Sequence, residues 1–186
     1  MYIMSSAKKP TIISISSVSG GGKTTITNLL KEKLVSATAL YFDDYDFEES
    51  PNDICDWVDR GANYNEWNLS PFTRDVISLL ENKDLKYVLL DYPFSYLNIS
   101  MREYLDFTIY VDTPLDIAMA RRLIRDFKDN PNDIQNDLEQ YLIKARTAYL
   151  EMVRSVKPDS DFVIDGTLTT LEIVERIKGQ LIMKNL

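Results

Sequence analysis

The sequence contains no histidine and only one cysteine, Cys55, among its 186 residues. One cysteine cannot form a disulfide within the chain, and a structural zinc site needs several cysteine or histidine ligands. We therefore expect any bound metal to be a hard ion with oxygen ligands, Mg²⁺ first. The lack of disulfides and of an N-terminal signal-peptide pattern predicts a cytoplasmic protein.

Positive charge is also scarce in this sequence. Its 21 lysines and arginines face 29 aspartates and glutamates, and the net charge at pH 7 is -8. A nucleic-acid track or an anionic membrane surface requires clustered positive charge, so we expect neither partner. The apolar runs, such as 87–90, are too short to span a bilayer. A single small anion is not excluded, because it needs only a local basic pocket. The composition does not exclude a homo-oligomer either.

Short apolar segments alternate with helical patterns along the chain. Buried strands are predicted at 11–16, 38–42, 87–91, 107–112 and 161–165, and helices at about 23–36, 71–82, 114–127, 134–152 and 169–182. This alternation is typical of a parallel sheet that is covered on both faces. The sequence therefore predicts an α/β fold of three layers, α/β/α, with a five-stranded parallel sheet in one domain over 1–186.

The segment VSGGGKTT (18–25) lies between the first strand and the first helix. Its glycines permit unusual backbone angles, its lysine can neutralise phosphates, and the hydroxyl that follows can bind Mg²⁺. The helix N-terminus also favours an anion. We predict a phosphate-binding loop, although Ser17 replaces the first glycine of the usual pattern; a glycine-rich turn is the alternative. The predicted nucleotide contacts are Ser19, Gly20, Gly21, Gly22, Lys23, Thr24 and Thr25.

Two aspartates stand at the ends of predicted strands, where ligands of open α/β sheets bind. Asp43 follows the second strand and Asp91 ends the third. A carboxylate at Asp43 could contact an acceptor hydroxyl and remove its proton, so we predict a catalytic base there. Asp91 and Thr24 are predicted to hold Mg²⁺. An acidic surface turn and a strand cap are the alternatives.

Three arginines lie within five residues near the end of the 114–127 helix. Arg122 and Arg125, like Lys23 of the loop, are predicted to be catalytic, because positive charge stabilises a transferring phosphoryl group. Arg121 is predicted to contact the nucleotide, as Lys23 does from the loop. The alternative is that these arginines only complement the helix dipole.

The segment over about 44–71 has no clean period and is rich in aromatic and polar side chains. Flat aromatic faces suit a heterocycle or a sugar, so this segment is the predicted acceptor-binding segment. Tyr64, Trp67 and Arg60 are its tentative substrate contacts. Aromatic residues are equally expected in a core, and Arg60 could instead pair with Asp56 or Asp59.

Six blocks of the sequence together resemble the uridine kinase and phosphoribulokinase family of P-loop kinases. The blocks are ISISSVSGGGKTT, YFDDYDF, YVLLDYPF, VDTPLDIAMARRLIRDF, LEQYLIKARTAYLEMV and DFVIDG. The resemblance implies a P-loop kinase that uses ATP and Mg²⁺, with Asp43 as base and with Thr24 and Asp91 at the metal. It also implies that the arginine block begins a lid, here short and over about 122–135, and that Arg146 contacts the acceptor.

The sequence departs from that family where a histidine–proline block is expected, because GANYNEWNLSP (61–71) stands there. The resemblance therefore implies transfer of the γ-phosphoryl group of Mg-ATP to a hydroxyl of a small, nucleoside-like metabolite, without specifying uridine. The alternative is an ATP-binding regulatory or interaction protein with weak ATPase activity and no small-molecule acceptor.

Overall fold

The computed structural model describes residues 9–129 and 131–186. Five parallel strands form one sheet in the order β2-β3-β1-β4-β5. The strands are β1 (Thr11–Ser16), β2 (Ala37–Tyr41), β3 (Tyr87–Asp91), β4 (Phe107–Asp112) and β5 (Phe162–Asp165). Because β1 lies in the centre, the loop after it opens at the middle of the carboxyl edge of the sheet.

The helices connect these strands and cover the sheet. They are α1 (Lys23–Lys33), α2 (Ile54–Asp59), α3 (Ser70–Leu80), α4 (Ile99–Arg102), α5 (Leu115–Asp126), α6 (Ile134–Gln140), α7 (Arg146–Glu151) and α8 (Thr170–Met183). A capping box at Thr169 and Glu172 begins α8, which satisfies backbone N–H groups at its first turn. No helix in the two described ranges is long and apolar enough to cross a membrane.

Two apolar clusters, one on each face of the sheet, form the core. Alternate residues of β1 divide between them: Ile12 packs in one cluster, and Ile13 and Ile15 pack in the other. The first cluster includes Phe72 of α3, and the second includes Leu30 of α1. Side chains alternate along a strand, so β1 must be apolar on both faces. The predicted three-layer α/β/α fold with a five-stranded parallel sheet is confirmed.

Several boundaries differ from the sequence-based expectation. The first helix ends at Lys33 rather than near 36, because Leu34 is extended and Ser36 has a φ of 56°. The predicted helix over 134–152 is divided by a π-helical segment, Tyr141–Ala145, and a second one, Met152–Val156, follows α7. The four-residue α4 was not predicted, because it is too short to show a helical period.

We predict that Leu90→Ala lowers the free energy of unfolding by about 2–5 kcal/mol, because the truncated side chain leaves a cavity in a fully buried strand. Leu142→Ala is the matched control; its side chain is 74% exposed, so its effect should stay within about 0.5 kcal/mol. Urea unfolding measures both. Equal losses in the two variants would contradict the described core.

Candidate active site

The glycine loop after β1 packs directly against α5. Gly20 has a φ of 76°, and a Cβ placed on it would lie 2.1 Å from the carbonyl oxygen of Ala118. Gly22 has a φ of 101° and caps the N-terminus of α1. Both angles favour glycine, and the close approach at Gly20 excludes any side chain. The loop therefore leaves the amides at the start of α1 available to an anion.

Ser17 takes the place of the first glycine without disturbing the loop. Its hydroxyl is buried and donates to the carbonyl of Val111 at 2.8 Å. Thr113 Oγ1 donates to the carbonyl of Gly21 at 2.8 Å. These two bonds fasten the loop to the end of β4. The backbone of this segment is thus positioned by buried hydroxyls as well as by its glycines.

Lys23 lies between the two aspartates that the sequence placed at strand ends. Its Nζ is 2.7 Å from Asp91 Oδ1 and 3.5 Å from Asp43 Oδ2. Asp91 is almost fully buried, whereas the Asp43 side chain is 80% exposed. Thr24 Oγ1 donates to Asp91 Oδ2 at 2.5 Å. The structure therefore brings Lys23, Thr24, Asp43 and Asp91 together.

The Thr24 and Asp91 pair suits Mg²⁺ chemically. Both side chains offer oxygen atoms, and Asp91 Oδ1 accepts no hydrogen bond from the described residues, although it lies close to Lys23. Mg²⁺ is commonly bound through one or two protein oxygens together with substrate phosphates and water. No cluster of three or more potential metal-ligating side chains occurs within 9–129 and 131–186. A site here would need a nucleotide to complete it.

The three arginines of α5 differ in their surroundings. Arg121 and Arg125 line the cavity beside the glycine loop. Arg122 instead donates to Asp137 Oδ1 at 3.1 Å and does not line the cavity. The hydrogen bond to Asp137 raises the pKa of Arg122, which stays fully charged. Arg125 contacts Asp126, with its Nε 2.6 Å from Oδ1.

One cavity of about 860 Å³ joins the glycine loop to the region predicted to bind the acceptor. Residues of the loop, Ser19 and Thr25 among them, line one part. Near the closing helix, Gly166, Leu168 and Thr170 line the same cavity and were not predicted from the sequence. A cavity of this volume is large enough for a nucleotide-sized ligand.

The other part of the cavity is lined by aromatic side chains: Phe42, Trp57, Trp67 and Phe94. Trp67 and Phe94 have their ring centroids 5.1 Å apart, and Trp57 meets Trp67 edge to face at 6.0 Å. Asn98 is buried and donates to the carbonyl of Trp67 at 3.2 Å, which fixes this segment against the chain after β3. We call these four side chains the aromatic end of the cavity.

Three predicted substrate contacts do not line the cavity. Tyr64 is buried and packs edge to face on Trp57, so its ring belongs to the core. Arg60 is exposed and pairs with Glu66 at 3.1 Å, rather than with either predicted aspartate. Arg146 is exposed on α7. An ion pair therefore holds Arg60, and core packing holds Tyr64, away from the acceptor region.

Glu151, at the end of α7, lines the cavity and was not among the predicted site residues. Its carboxylate accepts a hydrogen bond from the Tyr64 hydroxyl at 3.2 Å. Burial, and then the charge of Glu151, raises the pKa of Tyr64, so the phenol stays protonated and donates. A single glutamate in an amphipathic helix gives no sequence signal of this placement.

Comparison with known proteins shows that this chain is similar to kinases. A model of the phosphoribulokinase / uridine kinase family matches residues 88–171. Uridine kinase of Staphylococcus aureus (strain JH9) is 29% identical over 187 residues, which cover 84% of this chain and 88% of the relative. The same values hold for uridine kinase of Staphylococcus aureus (strain Newman).

The chain is thus similar to the uridine kinases over most of its length. It is an ATP-dependent small-molecule kinase, in keeping with the loop and the cavity described above.

Solved structures of other kinases share the fold of this kinase. Shikimate kinase from Bacteroides thetaiotaomicron aligns with a TM-score of 0.58 at 14% identity, covering 92% of this chain and 98% of that one. Deoxyadenosine kinase from M. mycoides aligns with a TM-score of 0.53 at 19% identity and the same coverage. At such identities the likeness concerns the fold alone.

We predict that Gly20→Ala abolishes the thermal stabilisation of the kinase by Mg-ATP, because the new Cβ would meet the Ala118 backbone and force the loop out of position. Gly179→Ala in α8 is the matched control, since a Cβ there meets nothing within 4 Å and alanine favours a helix. The shift in melting temperature on addition of Mg-ATP, followed by scanning calorimetry, measures both variants. Normal nucleotide binding by Gly20→Ala would contradict the described loop geometry.

Proposed function

We propose that this kinase transfers the γ-phosphoryl group of Mg-ATP to a hydroxyl of a small, nucleoside-like metabolite. The observation that supports the proposal best is the continuity of the cavity. It joins a phosphate loop to an aromatic end, and Asp43 lines it. A reacting hydroxyl can therefore approach a terminal phosphate and a carboxylate in one enclosed space, which is the positioning that phosphoryl transfer needs.

In this proposal the loop and the cavity arginines hold the phosphates. Lys23 now neutralises two carboxylates, and a phosphate chain entering at α1 would compete for the same ammonium group. Arg121 and Arg125 line the cavity beside the loop and would neutralise charge on the transferring group. Arg122, bound to Asp137, is better placed to hold α5 against α6 than to contact a ligand.

Asp43 is the proposed base. The acceptor hydroxyl gives its proton to the Asp43 carboxylate as its oxygen forms a bond to the γ-phosphorus. The bond from that phosphorus to the β–γ bridging oxygen breaks, and ADP leaves. The Asp43 side chain is largely exposed and close to Lys23, so it is accessible to an incoming acceptor. Its position at the carboxyl edge of the sheet is the usual place for a ligand in such folds.

Thr24 and Asp91 are the proposed protein ligands of Mg²⁺, directly or through water. When bound there, the ion would neutralise charge on the phosphates and orient them. Thr24 Oγ1 and both oxygens of Asp91 lie next to Lys23, at the start of α1. The chain's own contribution is to keep these oxygens fixed, because their strand and helix are part of the core.

The acceptor-binding segment over about 44–71 and a short lid over about 122–135 belong to the same proposal. Trp57 and Trp67 of the segment line the cavity and offer flat surfaces to a heterocycle. Arg121 lies just before the lid, and the lid also includes Asn130, which lies outside the described residues. Closure of the lid would exclude water from the transferring group.

Asp43→Asn tests the base. We expect turnover to fall by about two orders of magnitude or more while Mg-ATP binding stays nearly intact, because the amide cannot accept the proton. Asp84→Asn, at an exposed aspartate in the turn before β3, is the control and should keep wild-type turnover. A coupled ADP assay and calorimetry give the two readouts. Wild-type turnover in Asp43→Asn would disprove the assignment.

Thr24→Val tests the metal ligand, because it removes only the hydroxyl. We expect the Mg²⁺ concentration for half-maximal ADP formation to rise by about tenfold or more, the size typical of a disturbed metal site. Thr24→Ser keeps the hydroxyl and should retain the wild-type Mg²⁺ dependence. If the two variants respond alike, Thr24 does not bind the ion.

A screen of nucleosides, nucleotides and vitamin precursors by coupled ADP assay tests the function itself. We expect one class of neutral, hydroxyl-bearing compounds to accelerate ADP release well above the rate with Mg-ATP alone. Slow ATP hydrolysis that no small acceptor accelerates would instead favour an ATP-binding regulatory protein.

A further inference from the structure

Glu151 is a buried acid that the proposed transfer does not use. The residue is 9% exposed, and it lines the cavity together with its neighbour Met152. No lysine or arginine in the described parts of the chain pairs with its carboxylate. A buried carboxylate without a cation is costly unless hydrogen bonds compensate it. The structure supplies only part of that compensation.

The hydrogen bonds to Glu151 reach only one of its two oxygens. Tyr64 donates to Oε1 at 3.2 Å, and Ser155 donates to the same atom at 2.5 Å. Within 9–129 and 131–186, both hydrogen bonds to the carboxylate reach Oε1 and none reaches Oε2. The two hydroxyls fix the carboxylate in place, and the second oxygen is left for another donor.

The surroundings of Glu151 restrict what that donor can be. Tyr64, its partner, contacts both Trp57 and Phe94 of the aromatic end, with ring centroids 5.0 and 5.3 Å apart. The aromatic end itself contains no charged side chain. A ligand in this region would therefore present a flat or apolar surface to the rings and a hydrogen-bond donor to the carboxylate.

Charge is distributed unevenly along the cavity. Its lining cations are Lys23, Arg121 and Arg125, which belong to the glycine loop or to α5. The close contact between Gly20 and Ala118 shows that α5 lies against that loop. Of the two carboxylates near the aromatic end, Asp43 pairs with Lys23 at 3.5 Å, whereas Glu151 has no cation partner among the described residues. An anionic group of the acceptor beside Glu151 would therefore meet its charge without neutralisation.

We propose that Glu151 selects the acceptor: Oε2 accepts a hydrogen bond from an N–H or O–H group of a neutral or cationic ring compound, and the carboxylate excludes acceptors that already carry phosphate or carboxylate. This inference rests on the proposed kinase function and narrows its substrate class. Tyr64 and Ser155 are positioning residues, because they hold the carboxylate and do not reach the ligand through the cavity lining.

Two matched pairs of compounds test the selection in the wild-type kinase. Uridine is compared with uridine 3′-monophosphate, and cytidine with cytidine 3′-monophosphate, so each pair differs by one phosphate. We expect the neutral member of a productive pair to have a kcat/KM higher by about a hundredfold or more, because like charges in an enclosed site repel strongly. The coupled ADP assay measures both members.

Glu151→Gln tests the residue, because it removes the charge and keeps the shape. We expect the KM of the neutral acceptor to rise about tenfold to a hundredfold, as for a lost hydrogen bond to a charged group, with little change in the KM of Mg-ATP. The preference for the neutral member should fall as well, an effect that a purely structural role would not cause. Glu139→Gln, an exposed glutamate of α6, is the control.

Ser155→Ala separates charge from position, and it covers the case that Glu151→Gln does not fold. This variant removes one bond to Oε1 and keeps the carboxylate, so the KM of the neutral acceptor should rise while the discrimination against phosphate persists. Thermal melting checks that each variant is folded. Loss of discrimination in Ser155→Ala together with retained discrimination in a folded Glu151→Gln would overturn the assignment.

The outcomes distinguish this inference from the proposed function. If the wild-type kinase phosphorylates the anionic member of either pair as efficiently as the neutral one, the selection by Glu151 is wrong and the kinase function stands. If neither pair nor any compound of the wider screen accelerates ADP release, the proposed function fails and the inference falls with it. Unchanged acceptor KM in Glu151→Gln would overturn the role of this residue alone.

Discussion

The ion pair between Lys23 and Asp91 is the interaction on which the arrangement of this site depends. The two side chains meet at 2.7 Å, and both are largely buried. Removing one partner of such a pair leaves an uncompensated charge, so the pair ties the start of α1 to the end of β3. Thr24 and Asp43 each contact one member of this pair: Thr24 donates a hydrogen bond to Asp91, and Asp43 lies 3.5 Å from Lys23. A nucleotide phosphate fits this arrangement because it can replace a carboxylate as the partner of the lysine.

The close packing of the glycine loop on α5 is the second constraint. Gly20 has no room for a side chain because the Ala118 carbonyl lies against it. Arg121 and Arg125 follow Ala118 on the same helix, so the contact that shapes the loop also brings these arginines to the cavity. The lining cations of the site therefore belong to the loop and to α5. Glu151 lines the same cavity without a cation partner among the described residues, and this difference underlies the proposed choice of acceptor.

The parts of the site that were predicted from the sequence depend on short stretches of chain. The loop of residues 18–25 combines its strand, glycines and helix in one segment, so local geometry brings its groups together. Asp43 and Asp91 follow from the rule that parallel strands end at a common edge. Arg60, Tyr64 and Arg146 did not follow such a rule. The position of Arg60 depends on its ion pair with Glu66, and that of Tyr64 on its hydrogen bond to Glu151.

The amino-acid sequence by itself determined the five strands, their parallel arrangement with intervening helices, and the phosphate loop. These features depend on the hydrophobic periodicity and the glycine content of segments only a few residues long. Only the tertiary structure decided that Glu151 would lie in the cavity. Tyr64 and Glu151 are 87 residues apart in the chain. They meet because α2 packs against α7 and Tyr64 follows α2 by a few residues. A carboxylate becomes selective through burial and through the partners that fold around it, and neither is visible in a local pattern.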